Sequence, residues 1–117
     1  TWTDEQLHLY VSELIENKNS LSFGLFEDDN MIGMALGHVK HWYEGTEYWI
    51  DEFGILPQKQ RCGIGTEFLT EIEKALIDKA IIYIALLTER TVPAYHFYKR
   101  NGFDEKEETR FFVKRVC

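Results

Sequence analysis

Apolar residues open the chain at helical spacing. Leu7, Tyr10, Val11, Leu14 and Ile15 mark one face of a predicted helix, and that face is expected to pack into a core. Thr3 and Gln6 fit a capping box ahead of it, Trp2 and Leu7 occupy the positions of a hydrophobic staple, and Asn17 to Ser20 supply a polar stop. The period then changes. Leu21 to Phe26 and Met31 to Val39 read as the two strands of a hairpin turning at Asp28-Asp29-Asn30, and Glu47 to Leu56 reads as a third strand after a turn at Glu44-Gly45-Thr46. Gly33 and Gly37 inside the second strand predict a bulge or a close backbone approach, and Pro57 ends the third.

Phe68, Leu69, Ile72, Ala75 and Leu76 then share one helical face, with Glu67, Glu71 and Lys74 on the other. Ile81 to Leu87 is a continuous apolar run, as expected of a central strand covered on both faces. Pro93 suits the first turn of a short helix, Ala94, Phe97 and Tyr98 its inner side, and Gly102 its C-terminal cap. Thr109 to Val116 reads as a closing strand. This order of helix, three strands, helix, strand, short helix and strand predicts one α/β domain over residues 1–117 with a mixed sheet.

Composition narrows the partners. Thirteen Lys and Arg against twenty Asp and Glu leave a net charge of -7, which disfavours DNA or RNA and suits a cationic small molecule. No apolar run approaches the roughly 20 residues of a membrane span and no basic-then-apolar leader opens the sequence, so a soluble, cytoplasmic chain is expected. Cys62 and Cys117 form neither a disulfide framework nor a metal pattern, and no pair of His has metal-ligand spacing with a third ligand in view. Free thiols are the default reading.

Between the third strand and the following helix lies Gln60-Arg61-Cys62-Gly63-Ile64-Gly65. Glycines beside a helix start let the backbone approach a ligand, and the N–H groups of the first turn favour an anion, although such glycines are also ordinary turn residues. The P-loop pattern G-x-x-x-x-G-K-S/T is absent, and the dinucleotide pattern G-x-G-x-x-G fails because Phe68 stands at the third glycine. The stretch resembles the acyl-CoA loop of the GNAT superfamily of N-acetyltransferases, Q/R-x-x-G-x-G/A, which Gln60, Gly63 and Gly65 match. Ile55-Leu56-Pro57 is similar to the end of that superfamily's fourth strand. Ala94-Tyr95-His96-Phe97-Tyr98-Lys99-Arg100-Asn101-Gly102-Phe103 is similar to its late A-x-x-F-Y-x-x-x-G-F segment. Leu21 to the C-terminus carries the resemblance, with the opening helix resembling the superfamily's second. It implies a GNAT-like mixed, mostly antiparallel sheet flanked by helices, starting without the usual first strand and first helix. An open sheet edge would then favour pairing with a second chain as a homodimer.

The resemblance also implies a co-substrate and a site. Acetyl-CoA would bind through the backbone of Arg61, Cys62, Gly63, Ile64, Gly65 and Thr66 in the loop that Gln60 begins, and through the main chain of Phe53 and Ile55 along its pantetheine arm. Thr91 stands where many members carry an Asn that contacts CoA. Tyr98 matches the frequent general acid, and an ordinary phenol pKa near 10 suits it to protonating a departing thiolate. By helical spacing alone, Tyr98 is equally a core aromatic.

Attack on a thioester requires an amine that has lost its ammonium proton, so a carboxylate near the thioester is useful. Trp49-Ile50-Asp51-Glu52-Phe53 supplies two, and only one should face the acceptor unless a bulge intervenes. Asp51 is preferred over Glu52. Ile50-Asp51-Glu52-Phe53 is similar to the I-D-Q-L/F segment of aminoglycoside 6'-N-acetyltransferases, which implies an aminoglycoside or polyamine-like acceptor. Both acids also read as solvated strand residues. His38, His41, Trp42 and Tyr43 gather at the end of strand two, where they line an acceptor pocket or simply pack, and His96 is open to the same two readings. Cys62, at a helix start, has the setting of an acyl-carrying nucleophile but falls on a variable place of the motif. Two functions follow: direct N-acetyl transfer from acetyl-CoA to a primary amine, or a non-catalytic acyl-CoA-binding or regulatory domain.

Overall fold

The computed structural model describes residues 1–60 and 63–117. The chain forms two compact units, Thr1–Leu87 and Thr88–Cys117.

In the first unit, helix α1 (Asp4–Glu16) begins at the expected capping box: the Gln6 amide donates to Thr3 Oγ1 at 3.1 Å and the Thr3 amide to Gln6 Oε1 at 3.0 Å. These bonds satisfy donors that no helix can satisfy internally. Trp2 packs on the first turns of this helix. Its ring stacks on Tyr10 at 5.1 Å, an aromatic surface one turn beyond Leu7. The core face expected of α1 is absent, since none of its residues is buried. The helix packs mainly on β1 and β2, so its apolar stripe is covered in part, at Tyr10 and Leu14.

Strands β1 (Ser20–Glu27), β2 (Asn30–Trp42) and β3 (Gly45–Ile55) form an antiparallel meander, and β4 (Tyr83–Leu86) joins β3 in parallel, giving the order β1-β2-β3-β4. The hairpin turns where expected, with Asp28 and Asp29 at φ 49° and 73°. Aspartate tolerates this left-handed region better than most residues, and the pair suits the twist of the flanking strands. Gly37 provides the close approach. A Cβ there would stand 2.7 Å from the Tyr48 ring, which is fully buried, meets Phe23 edge-on and donates its hydroxyl to the Leu21 carbonyl at 2.9 Å. That burial raises the Tyr48 pKa and keeps the phenol neutral.

Helix α2 (Ile64–Asp78) lays Phe68, Leu69, Ile72 and Leu76 into the core with Ala35, Tyr48, Ile50 and Ile81. Each buried Leu or Ile contributes about 1.5–3 kcal/mol, so this face anchors the unit. Two strand expectations are corrected. Among the described residues β4 is the sheet's edge, not a central strand: it pairs there only with β3, and Ile82, Tyr83 and Leu87 are exposed. The closing strand at Thr109–Val116 does not form, and Phe111, Phe112, Val113 and Val116 are exposed. A strand needs a partner for its ladder, and apolar alternation alone supplies none.

The second unit contains α3 (Pro93–Arg100), with Pro93 in its first turn. Gly102, at φ 89°, ends it, and the Phe103 amide returns to the Tyr98 carbonyl at 3.1 Å. A left-handed residue after the last turn gives this closure, and glycine adopts it at least cost. Glu105 receives the Tyr95 hydroxyl at 2.7 Å and Arg90 Nε at 2.5 Å, and these two donors, the Tyr95 bond first, lower its pKa. No helix among the described residues is long and apolar enough to cross a membrane.

Candidate functional site

β3 carries a register shift against β2. Leu36 pairs with Glu52 and Gly37 with Ile50, leaving Asp51 as an extra residue without a partner position. The bulge changes which way the strand faces. Before it, Tyr48 and Ile50 point into the core under α2, and after it Phe53 and Ile55 do, with the Phe53 ring stacked on Phe68 at 5.5 Å. A regular strand would keep one parity, so the flip places Asp51 and Glu52 side by side on the opposite face, toward α1. The bulge condition is met, so both acids are exposed and both face the same way.

Each is held by a donor from another element. His38, on the same face of β2, sets Nδ1 2.9 Å from Asp51 Oδ2. From α1, Tyr10 donates its hydroxyl to Glu52 Oε1 at 2.7 Å. The Glu52 bond, with desolvation second and the carboxylate charges after it, pushes the Tyr10 pKa up to about 12, so this phenol stays a donor at neutral pH. Tyr10 also lines a concave surface with Thr1, Trp2, Gln6, Leu9 and Glu13. Sequence reasoning took Tyr10 for a core residue of the opening helix. Its actual role depends on which strand lies beneath α1, and no local spacing carries that.

The other end of β3 runs into the glycine loop. The β3–β4 ladder stops at Ile50 and Leu86, while β3 continues to Ile55. The Ile55 carbonyl accepts from Gln60 Nε2 at 2.9 Å, which ties the loop back to the strand. Gly63 caps α2 at φ 75°, a conformation that disfavours side chains, although among the described residues nothing lies within 4 Å of a Cβ placed there. Backbone angle, not space, selects glycine. Ile64, Gly65 and Thr66 form the first turn, whose amides have no carbonyl one turn earlier in the helix to bond, and the first helical bond is from Glu67 N to the Gly63 carbonyl at 3.1 Å. Arg61 and Cys62 lie outside the described residues.

Within the second unit, Thr91 is exposed in the turn before α3, and Tyr98 is buried with its ring edge-on to Phe97 and Phe103 at 5.3 and 5.2 Å. Of the aromatic and histidine group on β2, His38 joins the carboxylates. Trp42 and Tyr43 pack on each other at 5.3 Å, with the Lys40 ammonium 5.2 Å over Trp42 and 5.6 Å over Trp49. His96 packs edge-on against Tyr95.

The chain matches a family model described as acetyltransferase (GNAT) family over residues 1–103, which takes in α1 and stops before the exposed tail. Its fold is similar to that of meta-AAC0020, an aminoglycoside acetyltransferase from an uncultured soil metagenomic sample solved with sisomicin (TM-score 0.77, 17% identity, 100% of this chain and 77% of that one). AAC(6')-Iy in complex with the bisubstrate analogue CoA-S-monomethyl-acetylneamine gives a TM-score of 0.75 at 20% identity, over 97% of this chain and 82% of that one. AAC(6')-IG from Acinetobacter haemolyticus, an aminoglycoside 6'-N-acetyltransferase solved apo, gives 0.74 at 22%, over 99% and 86%. At these identities the likeness is one of fold. Among curated proteins none matches the sequence.

Proposed function

The chain belongs to the GNAT acetyltransferase family, and from that premise we propose that it moves an acetyl group from acetyl-CoA to a primary amine of a small cationic acceptor. What carries the reading is the β3 bulge: it sets two held carboxylates on one face of a strand whose far end enters a glycine-capped helix start. Cationic substrate and anionic co-substrate then meet opposite kinds of surface along a single element.

In this reading the backbone of the loop from Arg61 to Thr66 receives the CoA pyrophosphate, with Gln60 bracing the loop against Ile55. The main chain of Phe53 and Ile55 carries the pantetheine arm, and that around Phe53 and Gly54 is assigned the developing oxyanion. Asp51 draws in the ammonium and takes its proton, with Glu52 beside it. The freed amine nitrogen attacks the thioester carbonyl carbon, the C–S bond breaks, the thiolate takes a proton from Tyr98, and the proton that the new amide nitrogen loses returns through solvent to the phenol. Tyr98 and Thr91 hold their roles by their places relative to the Ala94 to Phe103 motif. The net charge of -7 and the solved structures with sisomicin and an acetylneamine conjugate favour aminoglycosides or polyamines among amines.

The test pairs calorimetric titration with CoA against thiol release from acetyl-CoA over a panel that includes sisomicin, kanamycin and spermidine. Transfer to at least one of these, together with a kcat lowered by Tyr98→Phe at unchanged CoA affinity, is the expected result. CoA binding without transfer to any amine would leave an acyl-CoA-binding domain instead.

A further inference from the structure

We infer that His38 is a positioning residue for the acceptor amine: it fixes the Asp51 carboxylate through one oxygen and leaves the other to the incoming ammonium. The inference rests on the acetyl-transfer reading and names how that site holds its cationic substrate.

The geometry is that of diagonal neighbours on one face of the sheet. In the ladder His38 lies opposite Trp49, two residues before Asp51, yet its Nδ1 stands 2.9 Å from Asp51 Oδ2. Alternation along β3 puts Asp51 on the same face as Trp49 and so on the ring's face of the sheet, and the extra residue adds Glu52 beside it. Asp51 is also the residue that the β2–β3 ladder leaves without a partner position, so its side chain depends on a lateral contact for a fixed rotamer. An aspartate accepts hydrogen bonds and donates none when ionised, so Nδ1 is assigned the proton and acts as donor. Among the described residues Oδ1 has no hydrogen-bond partner, which keeps its lone pairs for a ligand.

The chemistry of the donor matters as much as its position. Lys or Arg at position 38 would hold the same carboxylate but neutralise it, removing the attraction that selects an ammonium. An imidazole in its neutral form fixes the oxygen and leaves the negative charge intact. Both side chains are partly exposed, 44% for His38 and 30% for Asp51, so an incoming amine can reach the pair. Ordering Asp51 before the amine arrives removes part of the entropy cost of binding it, and the effect should appear in the amine's KM.

The experiment is steady-state kinetics with kanamycin and spermidine as varied amines, on wild type and on His38→Leu, His38→Gln, His38→Lys and His38→Asn. His38→Leu loses the donor, and the amine KM rises about tenfold, the size expected for a hydrogen bond to a charged group. The KM for acetyl-CoA stays near wild type. His38→Asn places an amide N–H near the position of Nδ1 and restores most of the amine KM. His38→Gln extends its donor toward the position of Nε2 and restores little, and His38→Lys stays raised because its charge competes with the ammonium. Equal amine KM in all five proteins would overturn the inference, as would equal losses in the amine and acetyl-CoA KM values.

A spectroscopic arm stands apart from turnover. Nitrogen NMR of the ring at about pH 8, where an ordinary imidazole is neutral, should show the proton on Nδ1 in wild type and a changed tautomer balance in Asp51→Asn. A ring protonated on Nε2 alone in wild type would sink the inference whether or not the chain transfers acetyl groups. Absence of transfer by wild type with an intact Nδ1–H signal would instead sink the functional reading and leave the His38–Asp51 pair standing.

Discussion

The two ends of the proposed site are built from different parts of the polypeptide. At the bulge in β3, the ligand-facing groups are side chains, Asp51 and Glu52, each steadied by a side chain from elsewhere: His38 on β2 and Tyr10 on α1. At the start of α2 they are backbone amides presented by Gly63, Ile64, Gly65 and Thr66, aligned by the helix that follows. A backbone site depends on local dihedral angles and changes little when neighbouring side chains vary. A side-chain site depends on long-range register and changes with almost any substitution in its donors. One end is suited to a fixed co-substrate, the other to an acceptor that can differ between relatives.

Gly37→Val should break the comparison by removing the frame both ends share. Its Cβ would meet the Trp49 carbonyl and the buried Tyr48 ring beside the point where the register shifts, so β2 and β3 would have to part. A loss of about 3 kcal/mol in denaturant unfolding is expected, with both ligand affinities falling together. Gly63→Val should separate the ends. At φ 75° a β-branched residue costs about 1–2 kcal/mol, and distortion of the first turn should weaken acetyl-CoA binding about tenfold while the amine KM holds. Competition binding with CoA beside amine kinetics measures both.

These two glycines also mark how far the sequence could be read. The helix start beside Gly63, the turn at Asp28 and Asp29, the Thr3–Gln6 capping box and the Gly102 closure were all legible, because each is decided within a few residues by sterics or by a local hydrogen bond. The bulge at Asp51 was foreseen only as a condition. Register belongs to a pair of strands, and nothing in Trp49 to Phe53 says which residue β2 will skip. The same limit explains Tyr10, whose helical spacing matched a core face but whose hydroxyl found Glu52 across the sheet. It also explains Thr109 to Val116, where apolar alternation promised a strand but no ladder formed.

The smallest effect should come from Tyr10→Phe, which tests the acceptor end alone. This bond is exposed, so its loss should cost less than about 1 kcal/mol. Its pH dependence is distinctive. Because folding raises the Tyr10 pKa from 10.0 to about 12, the stabilisation is complete below the unfolded value and lost as pH climbs through the folded one. The stability gap between wild type and Tyr10→Phe should stay constant from about pH 6 to 9 and close as pH rises from 10.0 toward 12. Denaturant melts at a series of pH values measure it.

The central claim is that the bulge carboxylate serves the amine and the glycine-capped helix serves acetyl-CoA. Two-substrate kinetics on Asp51→Asn tests it most directly, since the substitution keeps the side chain's size and removes its charge. The account predicts a fall of about a hundredfold in kcat/KM for the amine, the upper range for losing a charged partner, with the acetyl-CoA KM within about twofold of wild type. Full amine turnover in Asp51→Asn, or a loss shared equally by both substrates, would contradict it.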